Sequence, residues 1–421
     1  MASTLNTSGV LALFLVALVA CGEGQVSVAA SAAIEQPDSA VWTAQTAWRL
    51  SQDPIVQIQG SDANVEEAPL DPVSVFRLGD GRYVVADGYM TGWDALLVYD
   101  ERGQFLDKVG GEGAGPGEFG QLLSWSGVYR GDSIAAYDFV DRALEIFTSD
   151  GKFARALILP RNILVSLPAG TSGASDFFIG AFADGQVLRF ERTALKVPEQ
   201  PGVAYYEPDL QIYDQNGGNP RRLSTLRTSG HWWDGKQQIP YFLHSTPITL
   251  AGRQFWYHAT GEDFTIRVFD QDGRPVRILR RPFTRERVTP EDRENMIRQL
   301  VAMARSNPVE GGPAVAERIE ARLRTLARFA DVRPLYSKMV EDADQNLWIE
   351  HYRLIVPDSS GRNNQPGRWS VFARTGAFLG ELEVPPSFTV SSITNDQVLG
   401  FLKDELDVEH VRMYGLIKPG R

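Results

Sequence analysis

Acidic and imidazole side chains recur at one position in a series of short apolar segments, and they are the residues best suited to chemistry in this chain. Each segment starts at a turn rich in Gly or Asp and continues through a few mostly apolar residues, as at 79–87 and 343–351. Aligned on their turns, the segments place five polar side chains at equivalent positions: Asp87, Asp138, Glu191, His258 and His351. If the segments are neighbouring strands, these side chains form a ring at one rim of the fold.

Such a ring could hold a divalent cation. Two histidines and a carboxylate are a ligand set for Zn²⁺, and carboxylates alone suit Ca²⁺. With a cation bound, Glu350 beside His351 could act as a general base. The alternative is that the acids accept hydrogen bonds from backbone amides of the following turns, a common use of Asp. The sequence favours this alternative, so no cofactor is predicted and Ca²⁺ or Zn²⁺ stays a hypothesis.

A second cluster combines aromatic rings with histidine in a long connection between repeats. It consists of His231, Trp232 and Trp233, and Tyr241, Phe242 and His244 follow closely. Aromatic rings beside imidazoles suit the recognition of a sugar or a peptide. Ordinary packing of a loop is the alternative, and the sequence favours it.

Sequence motifs of several enzyme classes are missing. Residues 110–117 are rich in glycine but lack the lysine and the following helix of a phosphate-binding loop. The chain has neither a Gly-x-Ser-x-Gly elbow nor a His-Glu-x-x-His motif, so serine-hydrolase and zincin chemistry have no support. The formal net charge of −11 and the lack of a long basic tract also exclude nucleic acid as a partner.

The elements that would position these residues are strands. After each segment of the first type comes a second one that ends in an Asp-Gly-like hairpin and continues into one more strand; these second segments are 96–103, 144–151, 210–217, 266–273 and 369–376. With a preceding inner strand, this unit is the four-stranded blade of a propeller.

The number of units predicts six blades. Five full units are followed by a shorter one, 392–402 with 408–416, that has no outer strand of its own. The run 55–60 can supply that strand, which closes the ring and removes an open sheet edge. The predicted fold is therefore an all-β six-bladed propeller spanning 46–421, closed by its N-terminal strand.

One segment breaks the strand pattern. Within 284–334, Thr289 and Pro290 form a helix start, and apolar residues then recur at helical spacing in two stretches. We predict a helical hairpin inserted between two blades. Packing on the propeller rim is the favoured interpretation, and shaping a partner or ligand site is the alternative.

The N-terminus reads as an export signal. Residues 10–20 are an apolar run too short to span a membrane, and they end at Cys21, the only cysteine of the chain. The end of the run, Leu18 to Cys21, resembles the lipobox of bacterial lipoproteins, in which the cysteine is diacylated and becomes the mature N-terminus. This predicts a signal peptide over 1–21, lipid attachment at Cys21 and a flexible tether over 22–45.

The first unit carries the most specific resemblance. Residues 84–87, 98–100 with Gly103, and the Gly-rich stretch 110–119 ending in Gly-Pro-Gly-Glu-Phe resemble an NHL-type repeat, as found in bacterial six-bladed propeller lipoproteins. The resemblance covers about 55–417, with the helical segment as an interruption. It implies a protein of the cell envelope, lipid-anchored in the periplasm or at the cell surface, or otherwise secreted.

The resemblance favours a non-enzymatic function. We expect a binding or scaffold protein that presents a loop-rich face to a protein, peptide or glycan ligand. The alternative resembles metal-dependent propeller lactonases or lyases, with Glu191, His258 and His351 around a cation. A purely structural envelope component is a third possibility.

Overall fold

The computed structural model describes residues 33–35, 40–59, 69, 71–88, 95–120, 123–160, 173–174, 176–191, 193–306, 312–354, 365–404 and 408–419. The predicted signal peptide, with Cys21, lies outside these residues. No helix within them is long and apolar enough to cross a membrane.

Six blades of four antiparallel strands each form a six-bladed β-propeller, as the sequence predicts, and a further strand, Ala33–Glu35, joins the outer edge of blade 4. Neighbouring blades cover both faces of each sheet, so a second strand such as Tyr83–Asp87 is buried at every position. From inner to outer, the strands of blade 1 are Pro72–Arg77, Tyr83–Asp87, Ala95–Tyr99 and Phe105–Val109. Those of blade 2 are Leu123–Tyr129, Ser133–Asp138, Ala143–Phe147 and Phe153–Ile158. Those of blade 3 are Phe177–Ala181, Val187–Phe190, Asp209–Tyr213 and Arg221–Thr225.

The last blade closes the ring in the predicted way. Its outer strand is the N-terminal strand Arg49–Gln59, which pairs with Glu409–Ile417. In the same order from inner to outer, the strands of blade 4 are Ile248–Ala251, Trp256–Ala259, Thr265–Phe269 and Pro275–Arg280. Those of blade 5 are Tyr336–Glu341, Leu347–His351, Gly367–Phe372 and Phe378–Val384. Those of blade 6, the last blade, are Thr389–Ile393, Gln397–Lys403, Glu409–Ile417 and Arg49–Gln59.

The core lies between blades rather than at the centre of the ring. Each pair of neighbouring blades shares an apolar cluster, and Phe119, Phe147 and Val84 belong to the one between blades 1 and 2. The Gly-Pro-Gly-Glu-Phe segment leads into this cluster. Gly110 has a φ of 76°, and a Cβ there would lie 2.3 Å from the Phe119 ring, so glycine is required for the ring to pack.

The two faces of the propeller differ in their connections. Because the strands of a blade alternate in direction, hairpins between first and second and between third and fourth strands lie on one face, and they are short, as at 78–82 and 100–104. All other connections lie on the opposite face, which we call the top face. The long connections, among them 159–176, 191–208, 226–247, 281–335 and 352–366, therefore all start and end on the top face.

The predicted helical hairpin is present between blades 4 and 5. Its helices are α1, Pro290–Ser306, and α2, Pro313–Leu326. A reciprocal cap starts α1, since the Asp292 amide donates to the Thr289 hydroxyl at 3.1 Å and the Thr289 amide donates to the Asp292 carboxylate at 2.8 Å. Because the hairpin lies in the connection 281–335, it belongs to the top face.

A small second sheet on the top face was not predicted from the sequence. Residues 193–206 leave blade 3 between its second and third strands, and they alternate like the strands of a blade, so periodicity alone did not separate them. The accessory sheet consists of Gly173–Ala174, Thr193–Lys196, Gly202–Tyr206, Gly230–Trp233 and Gln238–Ile239. The next strand, Tyr241–Phe242, pairs in parallel with Arg328–Phe329 after α2, which joins the sheet to the helical insertion.

The prediction of a flexible tether over 22–45 needs correction. Ala33–Glu35 pairs in parallel with Ile278–Arg280 on the outer strand of blade 4. Further along, the amides of Val41 and Trp42 donate to carbonyls of the outer strand of blade 5, Phe378 at 3.1 Å and Leu379 at 2.8 Å. The sequence reasoning missed this because strand addition depends on free sheet edges and little on side-chain pattern.

Trp42 fixes this N-terminal segment to blade 5. A Cβ on Gly380 would lie 2.3 Å from the Trp42 ring, and Gly380 has a φ of 156°, so the glycine leaves space for the ring. The Trp42 ring also lies 5.1 Å from that of Trp48, over which the Lys418 ammonium stands at 4.4 Å. The segment thus follows the circumference of blades 4, 5 and 6.

Candidate functional site

The five residues of the predicted ring lie on or near the top face, but one of them does not share the common position. Asp87, Asp138, Glu191 and His351 each follow the first paired residue of their second strand by four positions, whereas His258 follows Trp256 by two. Thr260 holds the equivalent place in blade 4. The alignment failed because Gly252 precedes Trp256 by four residues, and Gly81 precedes Tyr83 by only two.

The two aspartates bind backbone amides. Asp87 accepts from the amide of Asp71 at 2.7 Å. Asp138 accepts from the amides of Val140 at 2.7 Å and Asp141 at 3.0 Å, and also from the amide of Gly120. Both carboxylates therefore fix the turns that join strands and blades on the top face, as the alternative interpretation of the sequence describes.

Glu191 belongs to a buried charged cluster centred on Arg189. It accepts from the Tyr213 hydroxyl, and its second oxygen lies 3.9 Å from the Arg189 guanidinium. That guanidinium is fully buried, pairs with Asp176 at 2.9 Å and donates to the Pro160 carbonyl at 2.8 Å. Sequence reasoning missed Arg189, although a charged residue inside the apolar strand Val187–Phe190 was a visible signal.

His258 is buried inside blade 4. Its side chain is 4% exposed, and its Nδ1 lies 3.0 Å from the Thr249 hydroxyl. Burial, with a smaller contribution from the nearby Arg267 guanidinium, lowers the pKa of the His258 imidazole to about 4. The ring is therefore neutral at physiological pH.

Both ring nitrogens of His351 already have partners. Its Nδ1 accepts from Arg368 Nε at 3.2 Å, so Nε2 carries the proton and donates to the Ser370 hydroxyl at 2.7 Å. Burial lowers the pKa of His351 as well. The described residues include no group of three or more His, Cys, Asp or Glu side chains placed to hold a metal ion. The structure therefore does not bring the five ring residues together around one point.

The second predicted cluster is divided between the two faces of the accessory sheet. His231 and Trp233 pair opposite Ala204 and Gly202, and Trp233 packs there in a small apolar cluster. His231 bonds Gln238 through Nδ1 at 2.7 Å. Trp232 pairs opposite Val203 and so points from the other face. Of the three, Trp232 alone joins a surface of aromatic rings.

We call this surface the aromatic row: Tyr205, Trp232, Tyr241 and His244. All four side chains are half-buried. The Trp232 and Tyr241 ring centres are 5.8 Å apart, and Tyr241 stacks on His244 at 4.7 Å with 12° between the planes. A Cβ on Gly230 would lie 3.2 Å from Tyr205 and 3.4 Å from His244, so this glycine lies between those two rings.

The aromatic row is uncharged at neutral pH. Burial raises the pKa of the Tyr205 and Tyr241 phenols. Burial also lowers the pKa of His244, with a smaller contribution from His231. Charge is supplied at one end by Arg227, whose guanidinium lies 5.1 Å from the centre of the Tyr205 ring. Arg227 is itself paired with Glu207 at 3.1 Å, so the row offers flat neutral rings bordered by an ion pair.

Comparison with known proteins agrees with the fold. A family model described as a six-bladed β-propeller, DUF5128, matches residues 65–169, a stretch that contains blades 1 and 2. No curated protein matches this chain.

The chain is also similar to solved propeller structures at low identity. A putative exported protein from Bacteroides fragilis is 15% identical, with 91% of this chain and 98% of that one covered and a TM-score of 0.44. A DUF4221 member from Bacteroides vulgatus is 11% identical, with coverages of 89% and 99% and a TM-score of 0.47. Virginiamycin B lyase from Staphylococcus aureus is 10% identical, with coverages of 88% and 100% and a TM-score of 0.38.

Proposed function

We propose that this protein is a binding propeller held at the cell envelope, and that its aromatic row takes a protein, peptide or glycan ligand. The observation that carries this proposal is the row itself. Trp232, Tyr241 and His244 form consecutive ring contacts on the face from which the long connections leave, and the side chains remain partly exposed.

The energetics of the row fit recognition better than internal packing. A partly exposed aromatic ring still has apolar surface to remove from water, and a sugar ring or an apolar peptide side chain can cover that surface. Fixed rings lose little conformational entropy on binding. The parallel pairing of Tyr241–Phe242 with Arg328–Phe329 holds part of the row against the helical insertion, so the rings are positioned before a ligand arrives.

The address at the envelope is part of the proposal. The apolar run that ends at Cys21 resembles a lipobox, and the rest of the chain contains no cysteine. Acylation of Cys21 would place the propeller beside a membrane, where cell-surface glycans and exported proteins are the available ligands.

The test is a binding screen of the purified protein on arrays of cell-surface glycans and of peptides. For a ligand found there, we expect Trp232→Ala to weaken the Kd by at least about 20-fold, the effect of losing a central aromatic contact of about 2 kcal/mol. Phe153→Ala is the matched control, since Phe153 is 38% exposed on the outer strand of blade 2. Equal affinities of the two variants would reject the aromatic row as the binding surface.

A further inference from the structure

Arginine is concentrated on one edge of this acidic protein. Residues 274–287 contain six arginines and a single acid, Glu286, in a chain whose formal net charge is −11. The segment includes the outer strand of blade 4, Pro275–Arg280, and the start of the connection that follows it. The fold therefore places a basic stretch on the circumference of the ring.

Three arginines on the outer circumference of blades 4 and 5 are what we call the basic rim: Arg277, Arg280 and Arg374. Arg277 and Arg280 pair opposite Val268 and Thr265, so they flank the outer strand of blade 4 from its two faces. Arg277 donates to the backbone carbonyl of Arg374, which brings the Arg277 side chain of blade 4 against the hairpin 373–377 of blade 5. Arg280 and Arg374 are exposed, and neither forms an ion pair with the side chains that the structure describes from residue 40 onwards. In the strand register Arg280 lies opposite Glu35. The nearby Asp272 is already paired with Arg274 and Arg221, so it does not neutralise the rim.

The N-terminal segment reaches the propeller at this same strand. Ala33–Glu35 pairs with Ile278–Arg280, and Ala33 follows Cys21 by twelve residues. Such a stretch spans at most about 43 Å when fully extended. If the chain first contacted the propeller at Arg49, where the blade 6 strand begins, the stretch from Cys21 could span about 100 Å. The pairing of Ala33–Glu35 with blade 4 therefore keeps the lipid anchor at Cys21 close to the basic rim.

From these observations we propose that the outer edge of blade 4 faces the membrane and that the basic rim contacts anionic lipid headgroups. The inference rests on the lipid anchor of the proposed function. A membrane with anionic lipids attracts cations only within about a Debye length, roughly 10 Å. The short link from Cys21 keeps the rim within about 43 Å of the lipid anchor. Edge-on contact then brings the arginines into that layer and leaves the aromatic row on the top face open to ligands.

The orientation can be measured by energy transfer from the protein to labelled lipids. Since Cys21 is the only cysteine, one introduced thiol is a unique labelling site in the acylated protein. A fluorophore is placed at Thr284→Cys, exposed beside blade 4, or at Leu106→Cys, 52% exposed on blade 1 across the ring. The purified lipoprotein is reconstituted in phosphatidylcholine vesicles with and without phosphatidylglycerol, and the vesicles carry an acceptor lipid.

We expect transfer from the Thr284 site to exceed transfer from the Leu106 site by at least about twofold on phosphatidylglycerol vesicles. The triple variant Arg277→Glu, Arg280→Glu, Arg374→Glu should remove the difference. Arg102→Glu with Lys108→Glu, a charge reversal on exposed positions of blade 1, is the control and should leave it unchanged. Equal transfer from both sites, or no effect of the triple variant, would overturn the proposal.

A failure of the proposed lipid anchor can be distinguished from a failure of the basic rim. The intact mass of the purified protein shows whether Cys21 carries acyl chains. For an unacylated protein the rim is tested by co-sedimentation with phosphatidylglycerol vesicles, where we expect salt-sensitive binding that the triple variant loses. Unacylated protein with no such binding would reject both the anchor and the basic rim.

Discussion

Arg189→Met is expected to lower the free energy of unfolding by about 3–5 kcal/mol, the cost of removing one partner from a buried ion pair. The Arg189 side chain is fully buried against Asp176, itself 2% exposed, and it lies 3.9 Å from the Glu191 carboxylate. Methionine keeps much of the side-chain volume, so the loss reports charge more than cavity formation. Urea unfolding of the parent and the variant measures it.

Arg142→Met is the matched control for this prediction. Arg142 also contacts Asp176, at 3.2 Å, but its side chain is 18% exposed and its removal leaves the Arg189 pair intact. We expect Arg142→Met to lower the free energy of unfolding by about 1 kcal/mol, a value nearer to that of a partly exposed ion pair. If both variants lose the same free energy, the cluster does not depend on Arg189 for its charge balance.

The second large effect is a loss of stability on acidification that depends on His258. Its pKa is 6.5 as a reference and about 4 in the folded protein, because burial disfavours the imidazolium. Below pH 6.5 the His258 imidazole is protonated in the unfolded chain, whereas in the folded protein it stays neutral until about pH 4. The neutral His258 thus contributes stability above pH 6.5 that is lost as the pH falls to about 4, by up to about 3 kcal/mol.

His258→Asn isolates this contribution. Asparagine cannot take up the proton, and its amide can still reach the Thr249 hydroxyl that lies 3.0 Å from the imidazole Nδ1. The free energy of unfolding, measured by urea at pH 7 and pH 4.5, should therefore fall less in the variant than in the parent. Buried carboxyls act equally in both proteins and cancel in the comparison. Parallel pH profiles would show that His258 is not the group responsible.

The blades were predictable because their pattern is local. Each hairpin needs a turn residue with positive φ, such as Gly103 at 80° or Gly151 at 82°, and these glycines stand at regular places between apolar runs. The closing strand, predicted at 55–60 and found at 49–59, was predictable from an unpaired sheet edge. The helices of the 284–334 segment were predictable from helical periodicity and the Thr289 cap. The NHL-type resemblance remains a prediction.

The site was harder to predict because its geometry depends on the strand register and on inserted elements. A two-residue difference in one turn was enough to misplace His258, since a strand alternates its side chains and the turn length sets the register. Trp232 and Trp233 are adjacent in sequence but project from opposite faces of a sheet that the sequence did not reveal. The aromatic row exists only because that sheet folds beside Tyr241 and His244.

Hydrogen–deuterium exchange of the purified protein with and without its ligand tests whether the aromatic row is the binding surface, because it locates that surface without any substitution. We predict that a saturating glycan or peptide ligand slows exchange in the strands Gly202–Tyr206 and Gly230–Trp233 and in the segment 241–244. Protection confined to the short hairpins of the opposite face, or to the outer strands of blades 1 and 2, would contradict it.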